Sequence, residues 1–228
     1  MKEDFKKYLV EFIGTFFLVF TVGVTVSCSA SAIIPAIAIG LILMVMVYAG
    51  GYISGGHYNP SVTLSATMRG ALPVEQLIPY WISQGLGGIV AAILIFLLIN
   101  PAHITQCPYS LKHLMVGEFL FTFALCYVVL LTTTAKKLEG NQFYGLAIGS
   151  TLAVGAFIGG GVLCFGAFNP AVALAFGLLG TACWNCVAVT IATNTIAAIV
   201  ASFVFKLTNI EPVEEKPAEE DEFNQRLR

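Results

Sequence analysis

The chain has 228 residues, of which 57% are hydrophobic and only 11% are charged, and its formal net charge is −2. Soluble domains carry about 25% charged residues, so this composition excludes an ordinary soluble globular protein. We also expect no nucleic-acid partner. Stretches of about 20 apolar residues predict membrane-spanning helices, and six follow one another along the chain, at about 8–28, 33–53, 77–99, 114–134, 143–163 and 182–205.

The basic residues fall almost entirely on one side of these spans. If the N-terminus is cytoplasmic, six spans return the C-terminus to the same side, and ten of the eleven Lys and Arg residues are then cytoplasmic. Lys112 alone lies outside, which is a strong positive-inside pattern. The pattern predicts a cytoplasmic N-terminus at 1–7, one membrane domain at 8–206, and an acidic, disordered cytoplasmic tail at 207–228. The first span shows no cleavage site with the usual spacing, so we expect it to remain as an anchor.

The six cysteines do not form the pattern of a disulfide framework, because most lie within apolar spans, where cysteine behaves as a small hydrophobic residue. Cys183 and Cys186 form a C-x-x-C pattern, but no soluble βαβ context surrounds it. We therefore expect no redox role there, no metal site and no cofactor.

An Asn-Pro motif occurs twice, at Asn59-Pro60 and at Asn169-Pro170, 110 residues apart. Asn caps the free backbone N–H groups at a helix start, and Pro suits the first helical position. Each motif begins a short apolar stretch, 59–68 and 169–179. At ten or eleven residues these stretches are too short to cross a bilayer, so we predict two re-entrant half-helices beside a water-filled path.

The two halves of the chain repeat each other. Glu11-Phe12 and Glu118-Phe119 begin matching segments, and the Asn-Pro motifs follow at a similar offset. This predicts repeats at about 8–100 and 112–206. Each repeat holds three spans, an odd number, so the second enters the membrane from the opposite side and the repeat is inverted. The two half-helix N-termini then point at each other near the bilayer centre.

The chain resembles the major intrinsic protein superfamily, the aquaporins and glycerol facilitators. The residues that carry the resemblance are Glu11-Phe12-x-Gly14-Thr15-Phe16, Ser54 to Thr63, Gln84-x-x-Gly87-Gly88, Ala147-Ile148-Gly149 and Asn169-Pro170-Ala171. The resemblance implies an all-α membrane protein with six transmembrane helices, two re-entrant half-helices and an inverted 3+3 repeat. It also implies a passive channel for water and small neutral solutes that excludes ions and protons. A homotetramer in the lipid bilayer of the plasma membrane is the implied assembly.

The resemblance assigns roles to particular residues. Asn59 and Asn169 donate hydrogen bonds to the permeating molecule at the pore centre, and the half-helices start at Pro60 and Pro170. Backbone carbonyls line the pore at Gly55, Gly56 and His57 and around 165–167. The buried acids Glu11 and Glu118 brace the two re-entrant loops. The positive half-helix ends repel cations and protons.

The departures from the family pattern concern the outer constriction. The first motif ends in Ser61 where Ala is usual, and Val172 stands where the second motif is usually followed by Arg, with Ala173 after it. By the family's spacing the constriction falls on Ile39, Phe157, Gly166 and Val172. Ala156 and Ala167 are the alternatives to the middle two positions, because the second loop has irregular spacing.

Two interpretations of that apolar ring remain open. Losing Arg widens the ring and favours a less selective pore for water, ammonia, urea or hydrogen peroxide. Alternatively, Phe157 fills the space and leaves a narrow hydrophobic neck that wets poorly. We favour the open pore; a glycerol, urea or ammonia facilitator with little water flux is an alternative.

Other classes of protein fit the sequence less well. No convergent nucleophile, base or metal cluster predicts an enzyme. An ion-coupled secondary transporter needs acids or cation sites at mid-membrane, and only Glu11 and Glu118 are candidates. A purely structural junction protein is a third possibility, if the neck is closed.

Overall fold

The structure, a computed structural model, describes residues 2–29, 31–99, 110–161 and 166–209. The predicted acidic tail lies outside these residues from 210 onward. The α-helices of the described part are α1 (Lys2–Cys28), α2 (Ile33–Ser54), α3 (Pro60–Arg69), α4 (Leu77–Ile99), α5 (Leu111–Thr134), α6 (Tyr144–Gly161), α7 (Pro170–Leu178) and α8 (Trp184–Thr208). Short 3-10 turns, Val74–Gln76 and Lys136–Leu138, precede α4 and follow α5.

Six of these helices coincide with the six predicted spans. In the part of the chain that the structure describes, α1, α2, α4, α5 and α8 are long and apolar enough to cross a membrane. The remaining one, α6, is a shorter apolar helix of 18 residues. At about 1.5 Å per residue it is about 27 Å long, close to the roughly 30 Å hydrocarbon core.

The two short helices begin and end for local reasons. The side chains of Asn59 and Asn169 accept hydrogen bonds from the backbone N–H two residues on, with Pro at the first helical position. After α3, Gly70 takes a left-handed φ of 85° and its N–H bonds to carbonyls of the last turn. Ten residues extend about 15 Å, so α3 reaches only halfway through a bilayer.

The helices pack so that the two halves of the chain interlock. Helix α1 lies against α4 and α2, and α5 lies against α8 and α6. Helix α2 contacts α6 across the halves, and each half-helix packs on a long helix of the other half, α3 on α8 and α7 on α4. This arrangement holds the two half-helices end to end inside the bundle.

Candidate functional site

The N-termini of α3 and α7 meet at the centre of the bundle through a reciprocal pair of hydrogen bonds. The Asn59 side-chain amide donates to the Phe168 carbonyl at 2.7 Å, and the Asn169 amide donates to the Tyr58 carbonyl at 2.8 Å. Their Oδ1 atoms cap the helices, because they accept from the N–H groups of Ser61 and Ala171, each at 2.9 Å. A side-chain amide has two N–H donors, so each Asn keeps one donor beyond this pairing.

The residues before each Asn have an uncommon backbone conformation. Tyr58 and Phe168 both have a φ of 50°, the left-handed region that non-glycine residues rarely adopt. Both side chains are almost fully buried, with 1% exposed. This conformation presents each residue's carbonyl to the Asn of the other half. The reciprocal hydrogen bonds therefore offset the free-energy cost of the left-handed backbone.

Glu11, on α1, holds the first re-entrant loop. Its side chain is fully buried. Oε1 accepts hydrogen bonds from the Ser54 hydroxyl at 2.7 Å and the His57 backbone N–H at 2.9 Å. Oε2 accepts from the Tyr58 N–H at 2.7 Å and the Gln84 amide at 2.8 Å. Four donors satisfy both oxygens of an acid that would be costly to bury alone.

Glu118, on α5, occupies the corresponding place in the second half. It is fully buried, and its two oxygens accept from the backbone N–H groups of Ala167 at 2.6 Å and Phe168 at 2.8 Å. Both acids therefore contact the loop residue that precedes an Asn. The structure brings each predicted acid to its own re-entrant loop.

Gln84 and Asn194 are buried site residues to which the motifs had assigned no role. Gln84, on α4, donates to Glu11 and also to the Thr63 hydroxyl at 2.8 Å. Asn194, on α8, accepts a hydrogen bond from Thr122 at 2.8 Å. The signal that could have found Asn194 is its spacing, because it follows Gln84 by the same 110 residues that separate the two Asn-Pro motifs.

A narrow cavity of about 20 Å³ passes between the half-helix ends. A cavity needs roughly 10–15 Å³ to hold one water molecule, so this space holds about one water. Asn59, Asn169 and His57 supply side-chain polar groups to its lining. Apolar residues line most of the rest, among them Leu18, Leu43, Val62, Leu125, Val129 and Leu152.

A wider cavity of about 710 Å³ lies beside it. His57 and Val129 line both cavities. Gly56 lines the narrow cavity, whereas Gly55 lines only the wide one. Both glycines have a positive φ, 90° and 65°, which bends the loop at this point.

The outer constriction needs one correction. Phe157 is 46% exposed on the outside of the bundle, and the cavity is lined instead by the preceding residue, Ala156. Successive residues of a helix point about 100° apart, so a one-residue shift moves a side chain from the pore to the outer surface. Ile39, Gly166, Ala167 and Val172 also line the cavity.

In the part of the chain that the structure describes, no group of three or more His, Cys, Asp or Glu residues is placed to hold a metal ion. The lining has no described Asp, Glu, Lys or Arg side chain either. The described lining of this cavity therefore offers hydrogen-bonding groups but no charged side chain.

Comparison with known proteins agrees with this geometry. The sequence model of the "Major intrinsic protein" family matches residues 1–205. The chain is 33% identical over 220 residues to aquaporin NIP1-1 of Arabidopsis thaliana, covering 88% of this chain and 72% of that protein. It is 45% identical over 169 residues to aquaporin Z of Brucella melitensis, covering 64% of this chain and 73% of that one.

A solved structure shows the same fold. The aquaglyceroporin of Plasmodium falciparum superposes with a TM-score of 0.71, over 89% of this chain and 95% of that one, at 19% identity. Six long helices and two half-helices thus form a known membrane architecture, which confirms the predicted fold class.

Proposed function

The chain belongs to the major intrinsic protein family, and from that premise we propose a pore for water and the smallest neutral solutes with little selectivity among them. Members of this family are integral, multi-pass membrane channels, and the relatives support a passive channel for water and small solutes. The proposal also states which solutes pass, from the side chains that line the outer constriction.

The observation that carries the proposal is the composition of the constriction. Ile39, Ala156, Gly166 and Val172 line the cavity, and none has a side chain that can donate a hydrogen bond. A polyol loses hydrogen bonds to water when it enters such a ring, and the ring returns none. Water, ammonia and hydrogen peroxide lose fewer, and the narrow cavity favours solutes of their size.

The position of Phe157 supports an open constriction over a blocked one. The closed neck requires its ring to fill the pore, but that ring lies on the outer surface and Ala156 takes the inner position. The small side chain of Ala156 leaves space that a phenyl ring would occupy.

Exclusion of ions and protons follows from the pore centre. Two helix N-termini, each equivalent to roughly half a positive charge, face one cavity. The spare amide donors of Asn59 and Asn169 offer hydrogen bonds to a neutral molecule, while a cation meets repulsion and no acid to compensate it. Glu11 is engaged by four donors, which supports bracing of the loop over ion coupling and so disfavours the transporter.

The setting of the channel is also part of the proposal. We place the protein in the plasma membrane. The positive-inside pattern supports a cytoplasmic position for residues 1–7 and for the tail. Homotetramers with one pore per subunit are carried over from the family. Exposed apolar side chains on α2, such as Ile37, Leu41 and Val45, supply faces that lipid or another subunit can cover.

Stopped-flow light scattering on proteoliposomes tests the function. Gradients of water, ammonia, urea and glycerol are run on the wild type, on Val172→Arg and on empty vesicles. We expect passive flux with low activation energy, highest for water and ammonia. Val172→Arg narrows the ring and adds a charge, so it should lower the ammonia rate more than the water rate. Unchanged relative rates in this variant would refute the constriction assignment, and saturable, ion-dependent uptake would refute the channel.

A further inference from the structure

Two cysteines meet at the start of α8, away from the pore. Cys183 is the N-cap residue of the helix and Cys186 lies on its first turn. Their sulfur atoms are 2.6 Å apart, and the Cys186 backbone N–H donates to the Cys183 sulfur at 3.2 Å. A disulfide bond is about 2.05 Å long, so the pair can bond with little movement of the backbone.

The environment of Cys183 is that of a reactive thiol. Its side chain is exposed, whereas Cys186 is 5% exposed. A thiolate at Cys183 accepts hydrogen bonds from the Cys186 thiol and backbone N–H, which lowers the pKa of Cys183 below its ordinary value. The N-terminus of a 25-residue helix adds a positive field. Low thiol pKa, exposure and an adjacent second cysteine are the features of redox-active sites.

The rest of this corner is firmly packed. Gly177, near the end of α7, has the Trp184 ring and the Val187 side chain against it. The first turn of α8 is thereby held on the half-helix that carries Val172 at its other end. Packing against α7 thus holds the two cysteines in place, which the C-x-x-C pattern alone did not indicate.

We propose that Cys183 and Cys186 form a redox-active pair that a hydroperoxide oxidises to an intramolecular disulfide. The Cys183 thiolate attacks the hydroperoxide, the O–O bond breaks, and the products are a Cys183 sulfenic acid and an alkoxide that takes up the thiol proton as an alcohol, or as water when the oxidant is hydrogen peroxide. The Cys186 sulfur then attacks the Cys183 sulfur, the S–O bond breaks, and water leaves. Two thiols are oxidised and one peroxide is reduced.

The test measures thiols rather than flux, so its result is independent of the channel function. Purified protein in detergent is reduced, treated with hydrogen peroxide, alkylated and analysed by mass spectrometry. We expect the peptide containing 183–186 to lose two hydrogen atoms and to resist alkylation at both cysteines, and dithiothreitol to restore both sites. Cys28→Ser should behave as wild type, because Cys28 is an exposed thiol outside the pair.

Single variants assign the two roles. Serine is also a favoured N-cap residue, so Cys183→Ser should fold, as an unchanged midpoint of thermal unfolding will verify, and should lose the disulfide and most peroxide reactivity. Cys186→Ser should lose the disulfide but accumulate sulfenic acid at 183, detected with a dimedone-type reagent. The proposal is overturned if both thiols of the wild type stay fully alkylatable under conditions that oxidise free cysteine. Disulfide-linked dimers in place of the internal bond would overturn it as well.

Discussion

At the residue scale, Glu11 illustrates how a buried acid can serve structure within a membrane. A carboxylate at this depth is costly unless its oxygens are satisfied. Donors from the end of α2, the first re-entrant loop and α4 converge on it at 2.7–2.9 Å. One side chain therefore ties three segments together and sets the position of the loop that leads to Asn59.

Replacing Glu11 with Gln is expected to lower stability. The glutamine NH₂ group faces donors where the carboxylate oxygen accepted, so at least one buried N–H loses its partner at a cost of about 1–3 kcal/mol. The midpoint of thermal unfolding in detergent, followed by tryptophan fluorescence, should fall. Glu75→Gln, at an exposed position, is the matched control and should not change it. Equal midpoints for the two variants would contradict the bracing role.

Ala156 and Phe157 offer a second test at this scale. Ala156→Phe places a ring in the narrow cavity and should reduce water flux at least about tenfold, because that cavity has room for only about one water molecule. Phe157→Ala changes only the outer surface of α6 and should leave the flux near wild type. Stopped-flow measurements of water flux on both variants show which of the two residues faces the pore. An immunoblot checks that equal amounts of protein are incorporated. A larger loss of water flux in Phe157→Ala than in Ala156→Phe would show that Phe157 lines the pore.

At the element scale, close helix crossings depend on glycine. A Cβ added at Gly87 on α4 would overlap the Phe12 carbonyl oxygen of α1, and one added at Gly40 on α2 would lie 2.6 Å from the Gly149 carbonyl oxygen of α6. These crossings bring backbones together without side chains between them, as small residues do in membrane bundles. They hold α1 against α4 and α2 against α6, which flank the pore.

Gly87→Ala is therefore expected to destabilise the bundle. The new methyl group must push against a backbone carbonyl, which cannot rotate away, at a cost of about 1–3 kcal/mol. Gly85→Ala lies on the same helix, with nothing within 4 Å of the added Cβ, so it should be neutral or slightly stabilising through helix propensity. Thermal unfolding midpoints of the pair make the comparison. If Gly85→Ala were the more damaging variant, the α1–α4 crossing would be wrongly described.

At the scale of the whole molecule, the topology and the charges agree. Lys7, near the start of α1, lines the same wide cavity as Lys136 and Glu139, which follow α5. Lys112 lies in the first turn of α5, at the other end of that helix. Lys7 and Lys136 therefore share one end of the bundle, and the four long helices α1, α2, α4 and α5, an even number, separate them.

This arrangement predicts that both termini are on the cytoplasmic side. Epitope tags added before residue 2 and after residue 228 should be protected from protease in intact cells, and both should be digested once the membrane is permeabilised. A tag cleaved in intact cells at either end would contradict the orientation. Right-side-out vesicles that retain an independent cytoplasmic marker supply the control for leakage.

Much of this protein could be predicted from its sequence because the decisive signals are local. An Asn followed by Pro caps a helix wherever it occurs, and α3 and α7 begin at the predicted residues. Apolar stretches set the number of long helices, since the bilayer requires about 20 residues for each. The duplication then predicted the inverted repeat, and the motifs that it repeats carried the resemblance to the family.

Only the tertiary structure decided which faces of the helices meet. Helix α6 is apolar on all sides, so its pattern could not distinguish Ala156 from Phe157. Gln84 and the reciprocal Asn hydrogen bonds depend on atoms that folding brings together from distant segments. The Cys183–Cys186 pair depends on the packed start of helix α8. Helix caps and hydropathy depend on neighbours in sequence, whereas the lining of a pore depends on how each helix is rotated by packing against the others.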